Sequence, residues 1–211
     1  MSKAANILLL LFGLCTNLYG LYGVRIGLPL VGYGGHYQFL TIIALTISTV
    51  CFATRIIYLL TGFFKPLYEV LSAIATPIES LVSVLYWPIV LYDRSLLIPE
   101  GTILDLPLRL DLCLHLIPTI VAWVDLMLFN PEFKRSPHHI LAIYAFAMSY
   151  FVWVNHCYSH NGYWVYPIFA LFKNDAQRGA FFIFCAWVCS LLYKTVVKSH
   201  AWFHTFKTKT E

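Results

Sequence analysis

Six apolar blocks of about twenty residues each are separated by short polar connections: Asn6–Tyr22, Leu40–Leu60, Val70–Tyr92, Asp111–Leu128, His139–Cys157 and Phe181–Val197. The blocks lack the strict alternation, or the single apolar stripe, of half-buried strands and helices. A bilayer core about 30 Å thick is crossed by roughly 20 helical residues, and a crossing chain must satisfy its backbone polar groups internally. The expected fold is therefore all-α: a polytopic membrane helix bundle of about six transmembrane helices, with residues 1–211 forming a single transmembrane domain. Composition agrees. The chain is 60% hydrophobic and 11% charged, where a soluble domain carries roughly a quarter charged residues.

The first block begins with Lys3 and the apolar run Ile7–Phe12, as a secretory leader does. Its apolar character continues through Leu21 and Tyr22 without a small-residue cleavage pattern, so it reads as a retained helix. The six cysteines (Cys15, Cys51, Cys113, Cys157, Cys185 and Cys189) contain no C-x-x-C pair and suggest no disulfide framework. The net charge of +4 sits mostly near helix ends, which favours a membrane surface as partner and excludes nucleic acid.

Lys and Arg in short loops favour the cytoplasmic face. One face receives Lys3, Lys65, Lys134, Arg135, Lys194, Lys198, Lys207 and Lys209. The other receives Arg25, Arg94, Arg109, Lys173 and Arg178. The larger set places both termini in the cytoplasm. The chain ends Lys207-Thr208-Lys209-Thr210-Glu211, a K-x-K-x-x pattern resembling the dilysine retrieval signal of endoplasmic reticulum membrane proteins. An ordinary basic tail would read the same way.

Ionisable and polar groups inside spans are costly and mark candidate functional positions. Thr41, Ser48 and Arg55 recur every seven residues and share one helical stripe. Asp111, His115, Pro118 and Asp125 occupy one arc of the fourth span, and Glu79 lies within the third. Under the expected topology Thr41 and His115 both lie near the outer ends of their helices, where a nucleophile and its base would need to be. Asp111, one turn from His115, is placed to orient the imidazole. Asp125, about 15 Å deeper, is not. Asp125 and Glu79 are alternative buried partners for Arg55. Tyr92, Asp93 and Arg94 close the third span, and His156, His160 and Trp164-Val165-Tyr166-Pro167 follow the fifth at the same level. Each has an ordinary alternative: Thr at a helix start caps or back-bonds, and Tyr and Trp anchor interfaces.

At these residues the chain resembles the androgen-induced protein / androgen-dependent TFPI-regulating protein family. The matching pieces are Tyr33-Gly34-Gly35 with Phe39-Leu40-Thr41, Trp87 with Tyr92-Asp93-Arg94 and Ile98-Pro99, His115 with Asp125, and Trp164-Val165-Tyr166-Pro167. They fall in family order between residues 33 and 167. The resemblance implies a multi-pass membrane hydrolase of fatty acid esters of hydroxy fatty acids, without a cofactor. Thr41 matches the family nucleophile and His115 its partner. The chain departs from the family at Leu112, where a second histidine is usual, at Asp125 in place of Glu, and at Pro118, earlier than the family proline. The partners so implied are membrane lipids and a lipid ester substrate. An activated Thr hydroxyl with a His that protonates the leaving alkoxide is coherent chemistry. Backbone amides after Gly34-Gly35 are candidate oxyanion donors, as are His36 and Tyr37.

Two other readings compete. His156-x-x-x-His160, His200-x-x-x-His204 and His138-His139 look like the histidine boxes of metal-dependent lipid oxidases. Such a metal needs its ligands on one face of the membrane, and the topology splits them. A transporter or lipid-organising scaffold would use the same intramembrane charges, although no inverted repeat or pair of broken helices is visible. For the tail, replacing Lys207 and Lys209 with Ser is expected to release a tagged protein from the endoplasmic reticulum. Unchanged localisation would remove any role for the motif.

Overall fold

A computed structural model describes residues 2–27, 32–97, 106–131 and 133–210, with side chains as far as residue 205. Ile98 and Pro99, and the side chains of Lys207 and Lys209, lie outside the described residues. The elements are α1 (Lys3–Gly27), α2 (Leu40–Thr61), α3 (Lys65–Tyr92), α4 (Leu108–His115), α5 (Ile117–Val124), α6 (Pro137–Asn161) and α7 (Asp175–Thr210). Helix α5 runs into a π-helical turn, Asp125–Phe129. Five of the described helices are long and apolar enough to cross a membrane, and α4 with α5 and its π turn, bent by 43°, make a sixth when counted as one broken span. The protein is an all-α polytopic membrane bundle.

Three elements differ from the sequence expectation. Helix α3 starts at Lys65, with Pro66 in its first turn, where a missing N–H is harmless. Helix α7 has 36 residues, about 54 Å, and so outruns a hydrocarbon core of about 30 Å. Its charged ends made the apolar block look short. The fourth span is broken at Leu116, whose φ of −138° departs from helical geometry. Pro118 lacks an N–H, and its ring cannot pack against the carbonyl of Leu114, so the helix cannot run straight through. Pro118 therefore does not continue the arc of Asp111 and His115, and the straight-helix depth of Asp125 does not apply.

Helix α1 buries Asn6, Leu10, Gly13, Asn17, Gly20 and Val24, a stripe recurring every three or four residues. A Cβ on Gly13 would lie 2.6 Å from a Val121 methyl, so glycine permits the close approach of α1 to α5. On the far side, α2, α3, α6 and α7 share a core of Ala44, Ile78, Leu81, Val82, Ile143, Cys185, Cys189 and Tyr193.

Polar groups tie the helices together at two levels. Near mid-span, Asn17 Nδ2 donates to Ser48 Oγ at 3.0 Å, and Ser48 donates to Glu79 Oε1 at 2.7 Å. At the far end of α2, Arg55 faces Asp125 at 3.8 Å, both side chains about 95% buried. Arg55 also donates to the Phe129 carbonyl at 2.8 Å, closing the π turn, and its guanidinium lies 4.2 Å from the Tyr68 ring centre. The other Asp125 oxygen takes the Tyr68 hydroxyl at 2.7 Å, and Asn6 adds a further bond. The charged partner of Arg55 is thus Asp125, while Glu79 is held by Ser48. Removing one member of a buried pair typically costs about 3–5 kcal/mol. Asp125→Ala is expected to lower the unfolding midpoint in detergent, and Asp125→Ala with Arg55→Leu to recover part of the loss. Thermal unfolding of the single and double variants checks this, and strict additivity would deny the coupling.

Candidate active site

The start of α2 is prepared by a tight turn. Gly34 has φ +86°, and a Cβ there would also lie 2.8 Å from Cys157 Sγ, so both conformation and space demand glycine. A 3₁₀ turn, Gly35–Gln38, then delivers an extended Phe39, which offers no side-chain cap. The first amides of a helix need external acceptors. The Leu40 amide finds one in the Tyr166 hydroxyl at 3.0 Å. Tyr166 also hydrogen-bonds Thr41 and Tyr150, and Tyr150 donates to the Gln38 carbonyl at 2.9 Å. Burial outweighs these bonds and pushes the Tyr166 phenol above its ordinary range. At working pH it therefore stays neutral and able to donate.

Tyr166 comes from the connection between α6 and α7, which Arg178 fastens down. That guanidinium donates to the carbonyls of Phe169 (3.0 Å) and Phe172 (2.8 Å), pairs with Asp175 (2.8 Å) and lies 4.4 Å from the Trp164 ring centre.

The break at Leu116 shapes the other half of the site. It makes His115 the last residue of α4 and frees its carbonyl, which accepts Ser83 Oγ at 2.5 Å and Trp87 Nε1 at 3.3 Å. The imidazole is 94% buried as part of a residue only 6% exposed, and its Nδ1 meets Asp111 Oδ1 at 2.7 Å. Tyr86 lies flat on that ring, with ring centres 3.4 Å apart and planes 3° apart, and bonds Asp111 through its hydroxyl.

Thr41, Tyr86, Tyr150 and Tyr166 line one cavity between α2, α3, α6 and α7, open on one side. The rest of the wall is aliphatic and aromatic, including Leu81, Leu85, Phe146 and Phe182. One polar cluster, Thr41 with Tyr166 and Tyr150, lines this space, and a second, Asp111 with His115, lies behind Tyr86. Tyr86 belongs to both the cavity wall and the histidine cluster. Among the described residues no hydrogen bond joins Thr41 to His115; the partner of Thr41 here is Tyr166.

The other sequence candidates divide. Arg94 lies close enough for its charge to act on Asp111 and Tyr86. Tyr92 is 86% exposed and turns outward. Asp93 caps a turn by accepting from the Ser95 amide at 2.9 Å and hydroxyl at 2.7 Å, bonds that hold its carboxyl below the ordinary range. His156 meets the Tyr33 hydroxyl at 3.3 Å, His139 meets Tyr193 at 2.8 Å, and His200 meets the Asn130 carbonyl at 2.8 Å. Among the described residues no three His, Cys, Asp or Glu side chains converge as a metal would require. Sequence reasoning missed Tyr86 and Tyr150. The available signal was a Tyr placed within an apolar block, away from the interface where Tyr usually sits, since a buried hydroxyl needs a partner.

The profile of the family described as FAR-17a/AIG1-like protein matches residues 6–201. The chain belongs to this family. A UPF0641 membrane protein of Schizosaccharomyces pombe is 39% identical over 142 residues, 66% of this chain and 64% of the relative. The androgen-dependent TFPI-regulating protein of Mesocricetus auratus is 27% identical over 131 residues, 62% of this chain and 56% of the relative. The human androgen-induced gene 1 protein is 29% identical over 171 residues, 72% of this chain and 69% of the relative. The first two matches thus span less than two thirds of those relatives. No solved structure matches.

Arg178→Leu is expected to loosen the connection that carries Tyr166. Hydrogen exchange should accelerate at the α2 start as well as in residues 164–172, because the Leu40 amide loses its acceptor. Acceleration confined to the connection would separate the two.

Proposed function

We propose that the protein is an intramembrane hydrolase of lipid esters, fatty acid esters of hydroxy fatty acids or close analogues, with Thr41 as nucleophile and His115 as base. The observation that carries this reading is the Thr41 hydroxyl set in the wall of an otherwise apolar cavity, with the Asp111–His115 pair behind one wall residue. An apolar cavity suits hydrocarbon substrate, and a polar corner suits the ester.

In this reading Asp111 holds Nδ1–H of His115, which leaves Nε2 free as base. His115 takes the Thr41 proton as Oγ1 attacks the ester carbonyl, and returns it to the departing alkoxide. Water then attacks the acyl-threonine with His115 again as base. Tyr86 covers the imidazole, so ester entry must displace it to bring Nε2 to Thr41. The Tyr166 hydroxyl, already bonded at Thr41, is the oxyanion donor. The Leu40 amide does not serve directly, because its hydrogen is spent on Tyr166. Residence in the endoplasmic reticulum with both termini cytoplasmic belongs to the same proposal and rests on the loop charges and the basic tail.

Thr41→Ala is expected to abolish both ester hydrolysis and labelling by a fluorophosphonate probe, with membrane expression intact. His115→Ala should lower the rate by about 10²–10⁴, and Tyr166→Phe by about 10²–10³, as for loss of one oxyanion donor. The losses should not add, because members of one catalytic unit fail together. Full activity in purified Thr41→Ala would sink the hydrolase and favour a lipid-organising scaffold.

A further inference from the structure

The cavity beside Thr41 has a floor as well as a mouth. At the Thr41 level it is bounded by Tyr150 and Phe182, whose ring centres are 5.8 Å apart, and by Leu85 on α3. At the other end its wall reaches Ile78 on α3, Ile143 on α6 and Cys189 on α7, which meet in one buried cluster with Tyr193. Tyr193, one turn beyond Cys189, is 0% exposed. Its hydroxyl is fixed by His139 Nδ1 at 2.8 Å and by the Ser136 amide at 3.2 Å. The wall residues thus run no deeper than Ile78, Ile143 and Cys189, and the pinned Tyr193 ring packs in the buried cluster they form.

Three helices measure the depth independently. Leu85 to Ile78 and Tyr150 to Ile143 are each seven residues, and Phe181 to Cys189 is eight, giving about 10.5, 10.5 and 12 Å at the helical rise. An extended chain advances about 3.6 Å per three backbone bonds, or about 1.2 Å per bond. The space below Thr41 therefore holds roughly eight to ten bonds of a single hydrocarbon chain.

We propose that this cavity, open at one side and ended at depth, is a chain-length ruler: it seats an acyl arm of about nine to eleven carbons, with its carbonyl carbon at Thr41. This rests on the hydrolase reading for the identity of the reacting carbon, but not for the seating of the chain. A longer acyl group meets the cluster of Ile78, Ile143 and Cys189 before its carbonyl reaches Thr41, so its added carbons gain no further contact with the wall. Ala147, on α6 one turn from Ile143, sets the width halfway down. A larger residue there shortens the usable depth, and a smaller one at Ile143 extends it.

The test uses full-length protein in detergent with free fatty acids of 6, 8, 10, 12 and 16 carbons, read by thermal shift, and p-nitrophenyl esters of the same acids, read by release of nitrophenol. Stabilisation is expected to rise with length to about ten carbons and then stop. In Ala147→Phe the break moves to about six carbons, and in Ile143→Ala to about twelve. Should Ala147→Phe fail to fold, Ile143→Ala still shifts the break in the opposite direction. Stabilisation that climbs through 16 carbons, or a break at one length in every variant, overturns the ruler. A moving break with no turnover of any ester upholds the ruler and removes the hydrolase. Turnover without a break removes the ruler alone.

Discussion

A proline inside a membrane-spanning helix leaves a carbonyl without its donor, and hydrocarbon supplies no water to replace it. The fourth span resolves this at Leu116, and the arrangement of the site depends on how. The missing proline N–H belongs to the Leu114 carbonyl, and the break that accompanies it at Leu116 takes the His115 carbonyl out of the helix ladder, where α3 answers it with Ser83 and Trp87. Those bonds lock α3 against α4 at the level where Tyr86, between them in sequence, can lie on the imidazole. One backbone defect thus fixes the position of a histidine, its carbonyl and the aromatic ring that covers it. An unbroken helix would satisfy its own carbonyl and leave α3 no reason to bring Ser83 and Trp87 to that point.

The start of α2 follows the same logic with a different donor. Phe39 cannot cap, so the Leu40 amide needs an acceptor from elsewhere, and the connection after α6 supplies Tyr166. Helix termini at membrane depth are tolerated only where protein buries them. The need to satisfy the backbone therefore draws a phenol to within bonding distance of Thr41. The Tyr166 cluster thus follows from an unsatisfied main-chain amide, and the unsatisfied carbonyl of His115 sets where Tyr86 meets the imidazole.

Much of the fold was legible because hydropathy blocks report directly on the bilayer. The contact between Asp111 and His115 was legible as well, since four residues along a helix bring side chains together whatever surrounds them. Pro118 was visible, but not the direction of the bend, which α3 decides. The reach of α7 was obscured because it carries Asp175 and Arg178 before the apolar block and Lys198 just after it, residues that end an apolar block without ending a helix. Tyr86 and Tyr150 escaped because their roles arise only when three helices and a loop converge. Tyr92 and Asp93 were drawn toward the site by shared depth and by the family resemblance, and neither says which way a side chain turns.

The division of labour along α2 follows from these constraints. Its two ends are 14 residues apart between Thr41 and Arg55, about 21 Å. The Arg55 end is filled: Asp125, Tyr68, Phe129 and Asn6 converge on it, and bonds or ring contacts engage most of their polar atoms. The Thr41 end borders a cavity. Interhelical packing and hydrogen bonds, rather than a hydrophobic drive, hold membrane helices together. A bundle that leaves space at one end must therefore be held at the other. Glu79, bonded through Ser48 to Asn17 between the two ends, joins α1, α2 and α3 across the transition. The polar layers at mid-span and at the Arg55 end thus let the remaining end keep its cavity without letting the helices around it drift apart.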